Sequence, residues 1–172
     1  MAAQSNFTKD RPVYWTEEFS GVVNLLTGRD EQERFVSPPL YQYNTGAITL
    51  AACIGLKEGR KRELGSGKRK EINTSTFSAH RLEEYIFLIP LLGKHPLGIE
   101  LLRPENEDEA IRDFERFACG GLEFLAGVFD ASAGKSPDVL LQSLMTGQQG
   151  TERQLVPLPK LFGWSSPCAL TA

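Results

Sequence analysis

Histidine is almost missing from this chain of 172 residues, with His80 and His95 as the only two. That scarcity excludes a His-rich metal site, and a Cys–His catalytic pair would have to be assembled by folding alone. Cysteine is equally thin. Cys53, Cys119 and Cys168 are odd in number and lack metal-type spacing, which fits buried or inert thiols in a reducing cytoplasm. The strongly apolar stretches are far too short to cross a bilayer, so no membrane role is expected. The opening residues Met1 to Phe7 show no basic end followed by an apolar run, and a cytoplasmic location is expected. A strong charge of one sign is lacking too. The net charge is -3, so any nucleic-acid role must rest on a local patch.

Catalytic signatures are also wanting. Gly134-Lys135-Ser136 resembles the end of a phosphate-binding loop, but Phe129 stands where that loop needs its first glycine, and Pro137 follows. Pro137-Asp138 matches the opening of a common nuclease core, yet none of the 22 acidic residues has Lys two positions later. No Gly-x-Ser-x-Gly elbow occurs. No catalytic residue, metal site or cofactor is expected, and the chain reads as a non-enzyme.

What is present is enough apolar material for one core: 41% hydrophobic residues, including 10 Phe. Residues 1–9 read as a mobile polar leader, 10–147 as a single helical domain and 148–172 as a C-terminal tail. Thr16 is placed to cap a first helix carrying Trp15, Phe19, Val22, Val23 and Leu26 on one face, with Gly28 as its stop. A second, small-residue helix runs from Asn44 or Thr45 to about Gly55, where Ala47, Ala51 and Ala52 allow a neighbour to come close. Ile72 to Phe77 suits a short extended segment. Ser78 then caps a helix bearing Leu82, Tyr85, Ile86, Ile89 and Leu92, with Pro90 disturbing its last turn. Ile99 to Leu102 reads as a brief strand or extended lead-in.

The clearest element opens at Asn106, whose spacing to Glu109 is that of a capping box. Ile111, Phe114, Ala118, Leu122, Leu125 and Phe129 then step by three and four, and Phe117, Gly121, Phe124 and Val128 widen the stripe. Gly120-Gly121 costs helix propensity, about 1 kcal/mol per Gly against Ala, which implies close packing there. A last short helix is expected over 137–145. The fold class is therefore mainly α: a compact bundle of about five helices, with room for a short two-stranded ribbon.

Two charge clusters stand out. Residues 57–70 hold seven cations, Lys57, Arg60, Lys61, Arg62, Lys68, Arg69 and Lys70, against two acids, a local balance of +5. Gly59, Gly65 and Gly67 keep that loop supple, so its side chains could follow successive phosphates on a DNA strand. The plainer readings are a solvated loop or an acidic protein partner. Residues 105–115 hold six acids against Arg112, a balance of -5. Carboxylates at a helix start complement the macrodipole, which accounts for most of them, and no calcium-loop spacing is present. In the proline-broken tail, Leu158, Leu161, Phe162 and Trp164 suit either an arm folded over its own domain or a docking peptide.

Two blocks carry a family likeness: Ala51-Ala52-Cys53-Ile54-Gly55-Leu56-Lys57-Glu58-Gly59-Arg60-Lys61-Arg62, and Phe117-Ala118-Cys119-Gly120-Gly121-Leu122-Glu123-Phe124-Leu125. Between them lie Ile72, Phe77 and a helix with Tyr85 and Leu91. Together, over roughly residues 9–146, they resemble the DNA phosphorothioation-associated protein 4 family, found beside genes for sulfur modification of the DNA backbone and related phage-defence systems. The resemblance implies an accessory protein of a bacterial locus, with a larger partner such as an ATPase or nuclease doing the chemistry. The preferred expectation is contact with double-stranded DNA through the basic loop. The alternative is a protein-binding subunit or regulator that never touches DNA.

Overall fold

Glycine and alanine decide how the two longest helices meet. The computed structural model describes residues 7–131 apart from 31 and 33, and residue 142 by itself. Among these, α2 (Asn44–Lys57) and α5 (Glu107–Ala131) lie against each other with backbone touching backbone. A Cβ on Gly121 would sit 1.8 Å from the carbonyl oxygen of Ala51, and one on Gly55 would sit 2.1 Å from that of Phe117. Only glycine at both places permits this approach. The close packing expected at Gly120-Gly121 is present, and α5, at 25 residues, is the longest helix among the described residues.

Around this pair are arranged α1 (Ser20–Leu26), α3 (Thr74–Ala79), α4 (Glu83–Leu92) and a two-stranded antiparallel ribbon of β1 (Pro12–Thr16) and β2 (Arg69–Asn73). Phe114, Leu122 and Leu125 of α5 are fully buried, together with Ile48, Ala51 and Ala52 of α2 and Ile86 and Ile89 of α4. Phe77 meets Phe114 edge to face at 6.0 Å, and Phe7 stacks on Phe87 at 4.9 Å. The mainly α class with a short ribbon is thus the observed one.

Several local expectations are corrected. Residues 12–16 form a strand, because the alternation of buried Val13 and Trp15 lets this segment pair with Arg69–Asn73. Thr16 caps nothing with its side chain, and its hydroxyl lies 3.8 Å from the Cys119 sulfur. A single 3₁₀ turn, Glu17–Phe19, then leads into α1. Residues 72–77 divide between the end of β2 and the start of α3. Ser78 lies inside α3, where its hydroxyl donates to Glu83, and the expected single helix is split by Arg81 at φ +58°. Pro90 leaves α4 intact to Leu92. Residues 98–102 are a 3₁₀ turn, and so are Pro104–Asn106. Asn106 takes no part in a capping box, since its Nδ2 donates to the Glu100 carbonyl at 2.8 Å. Gly28, at φ +66°, does end the first helical region. The helix expected over 137–145 lies outside the described residues, save Gln142, which is helical and exposed.

Candidate functional site

The basic segment 57–70 leaves α2, crosses α5 and enters β2, and its crossing point is set by Gly120. A Cβ there would lie 2.5 Å from the Arg60 carbonyl oxygen. The Arg62 amide donates to the Arg116 carbonyl at 3.0 Å, so residues 60–62 run as a strap along α5. Their side chains follow suit. Arg60 lies over the Phe124 ring at 5.2 Å. Lys61 Nζ is 2.8 Å from both oxygens of the buried Asp113 and 4.4 Å from the centre of Phe117. Arg62 bridges Glu18 at 2.9 Å and Glu123 at 3.2 Å while covering Phe19.

The remaining four cations divide differently. Lys70 is half-buried over Trp15 at 5.7 Å. Lys57, Lys68 and Arg69 are exposed, as Arg60 and Lys61 also are in spite of their contacts on α5. Lys57 has only Glu58 at 3.9 Å, and Arg69 reaches the Gly65 carbonyl at 3.2 Å. The structure therefore places the seven predicted cations along one path but does not present them as one charged surface. Three are tied to α5 and a fourth rests on an aromatic ring. Three, Lys57, Lys68 and Arg69, lie over no ring and make no hydrogen bond or ion pair to α5 among the described residues.

The acidic cluster has a role that the helix-start argument missed. Glu107, Asp113 and Glu115 are buried, and each holds a segment distant in sequence. Glu107 accepts from the Thr8 amide and hydroxyl, both at 2.9 Å, which fixes Thr8, in the described end of the segment read as a polar leader. Asp113 holds Lys61. Glu115 accepts from the Tyr14 amide at 2.6 Å and so takes up an outward donor of β1. Burial pushes the Glu115 carboxyl up to about 7, against the opposing pull of the Tyr14 N–H and of Arg69, Arg112 and Arg116. One signal was available: Glu107, Ile111 and Glu115 are four apart, which sets the two acids on a buried face.

Burial also raises the Cys53 and Cys119 thiols above their ordinary range. No group of three or more His, Cys, Asp or Glu suited to a metal ion occurs among the described residues. Gly134, Lys135, Ser136, Cys168 and the tail candidates Leu158, Leu161, Phe162 and Trp164 lie outside the described residues.

An apolar surface emerges on α4 and the turn that follows it. Tyr85, Leu88 and Leu92 follow one line of α4 and are 41%, 44% and 66% exposed. Ile99 and Leu102, three apart on the 3₁₀ turn, are 74% and 49% exposed. Leu88 and Leu102 line one groove with Glu84 and Phe87, which joins the two strips. Of the apolar residues read on this helix, Ile86 and Ile89 fill the contact with the core, while Tyr85 and Leu92 face outward.

The family model for DNA sulphur modification system-associated protein 4 matches residues 18–157. The chain belongs to that family. The two glycine-centred blocks that carried the likeness are the ones at which α2, the strap and α5 cross. For this member of the DNA sulphur modification system-associated protein 4 family, the matched region takes in that crossing and runs on past Gly147. No curated protein and no solved structure matches the chain. Among the described residues no helix is long and apolar enough to cross a membrane.

Proposed function

We propose that this chain is a non-catalytic accessory protein of a DNA sulphur modification system, and that it acts by binding a larger protein of that system. The observation that carries this reading is the joined strip of Tyr85, Leu88, Leu92, Ile99 and Leu102. Five large apolar side chains in one surface cost solvation free energy in a lone chain, and such surfaces mark sites of association. The family name supplies the system, and an accessory role supplies the need for a partner. Localisation in the cytoplasm, beside the DNA being modified, belongs to the same proposal, as does a part in phage defence.

A second reading keeps the DNA contact. Lys57, Lys68 and Arg69 are exposed and could meet phosphates, and the glycines at 65 and 67 leave room for a backbone to come near. Such binding would be sequence-independent and weak, with about three phosphates engaged.

One experiment separates the two. The tagged chain is recovered from cells carrying the intact modification genes, with and without nuclease. The protein-binding reading expects a partner that survives nuclease, is lost on Leu92→Asp with Ile99→Asp, and persists when Lys57, Lys68 and Arg69 become Gln. Loss of the partner on nuclease treatment, or on the cation changes alone, would favour the DNA reading and end the first.

A further inference from the structure

We propose that the outer edge of β2 is a strand-addition site that takes an extended, acidic segment of a partner protein. This surface is separate from the α4 strip, and the inference does not depend on it.

The pairing of the ribbon fixes which backbone groups point outward. Glu17 donates to the Lys68 carbonyl at 3.0 Å and Thr74 to the Arg11 carbonyl at 2.8 Å. With Val13 opposite Ile72 and Trp15 opposite Lys70, these bonds show that Lys68, Lys70, Ile72 and Thr74 turn their backbone groups toward β1. The amides of Arg69, Glu71 and Asn73 and the carbonyls of Arg69 and Glu71 therefore face away, and carry no hydrogen bond among the described residues. On the other edge of the ribbon Glu115 takes the Tyr14 amide, and Pro12 has no amide hydrogen to offer.

The open edge is also prepared. Val13 and Trp15, each 1% exposed, anchor the ribbon, so β2 is held extended before anything binds. No proline interrupts Arg69–Asn73, and the preceding Gly65-Ser66-Gly67 offers little bulk to shield it. Lys68, Arg69 and Lys70 stand against the single acid Glu71, so the edge favours carboxylates on the incoming strand. A second copy would meet itself less evenly than an acidic strand. Antiparallel self-pairing about Glu71 sets Glu against Glu, and pairing about Lys70 sets Lys against Lys while placing Arg69 opposite Glu71, so self-pairing is kept as a separate outcome of the test. DNA phosphates would use the same cations but leave the outward amides unpaired.

The test uses the full chain with residue-resolved amide exchange. The probe is a short capped peptide of alternating Glu and Thr, with Lys-for-Glu and duplex DNA controls. Saturable peptide binding is expected to slow exchange about tenfold or more at Arg69, Glu71 and Asn73, while Lys70 and Ile72, already paired, barely change. The Lys peptide should bind at least about tenfold more weakly, and so should the Glu peptide to a K68Q/R69Q/K70Q variant. Glu71→Pro removes the central outward donor without touching the β1 ladder, and should abolish binding at an unchanged melt. If that variant unfolds, the alternate-residue pattern in the wild type still decides. The proposal is overturned by no slowing at the three amides at about 1 mM peptide. Slowing that depends on protein concentration alone would assign the edge to a second copy and also overturn it. So would duplex binding that displaces the peptide and leaves the three amides fast.

Discussion

At the scale of single residues, two side-chain positions make opposite demands on their surroundings. Glu115 is buried with its carboxyl raised to about 7, well above an unfolded glutamate. Between those two values the folded chain binds more protons than the unfolded one, so this group makes stability fall as pH rises toward 7. Glu115→Gln keeps an oxygen for the Tyr14 amide and removes the charge. It should raise stability at pH 8 by roughly 2–3 kcal/mol and do little at pH 4, as read by urea unfolding at the two pH values. An equal effect at both would mean that the carboxyl is not held neutral. Gly121 demands the absence of a side chain. Gly121→Ala drives a Cβ into the Ala51 carbonyl, 1.8 Å away, where only backbone could yield. A loss of about 3 kcal/mol is expected. Gly127, six positions on in the same helix, has nothing within 4 Å, and Gly127→Ala should add about 0.5–1 kcal/mol. Thermal melts of the pair that moved in the same direction would refute close packing at Gly121.

At the scale of elements, what could be read from the chain was whatever depends on one segment's own pattern. The stripe from Ile111 to Phe129 fixes α5 as a buried helix, and the small residues of α2 announce a close neighbour; both are observed. Capping signals fared worse. Thr16 and Asn106 have the right chemistry, but pairing with β2 claims the first, and the turn at Pro104–Asn106 claims the second. Those partners lie elsewhere in the chain, so no local pattern shows them. The candidate site divides in the same way. The path of the cations was legible, whereas the fate of Arg60, Lys61 and Arg62 depends on Phe124, Asp113 and Glu123, more than fifty positions away. The strap is a structural element made from residues that resemble a ligand site. Lys61→Met should thus cost about 1–3 kcal/mol by leaving the buried Asp113 with only the more distant Arg116, 3.9 Å away. The same change at Lys68 should be nearly neutral, and denaturant melts of the two compare them directly.

At the scale of the whole molecule, the divided set of cations turns the question of DNA contact into a number. Each phosphate neutralised on duplex DNA releases condensed counterions, and log affinity falls with log salt by about 0.9 per contact. Seven free cations would allow a slope steeper than about -4. Arg60, Lys61 and Arg62 rest on α5 and Lys70 over Trp15, so Lys57, Lys68 and Arg69 are the three expected to engage, and the slope should not exceed about -2.7. Fluorescence anisotropy on a short duplex across a salt series measures it. Gln at those three positions should remove nearly all of the slope, whereas Arg60→Gln should change stability more than affinity. A slope near -5 would require the strap to leave α5 on binding, which faster amide exchange at Arg62 in the complex would reveal, since its amide is bonded to the Arg116 carbonyl. No binding at about 50 mM salt would remove direct DNA contact by the isolated chain, because three contacts are strongest where counterions are most dilute. The apolar strip on α4 and the open edge of β2 would then be the surfaces through which this family member joins its system.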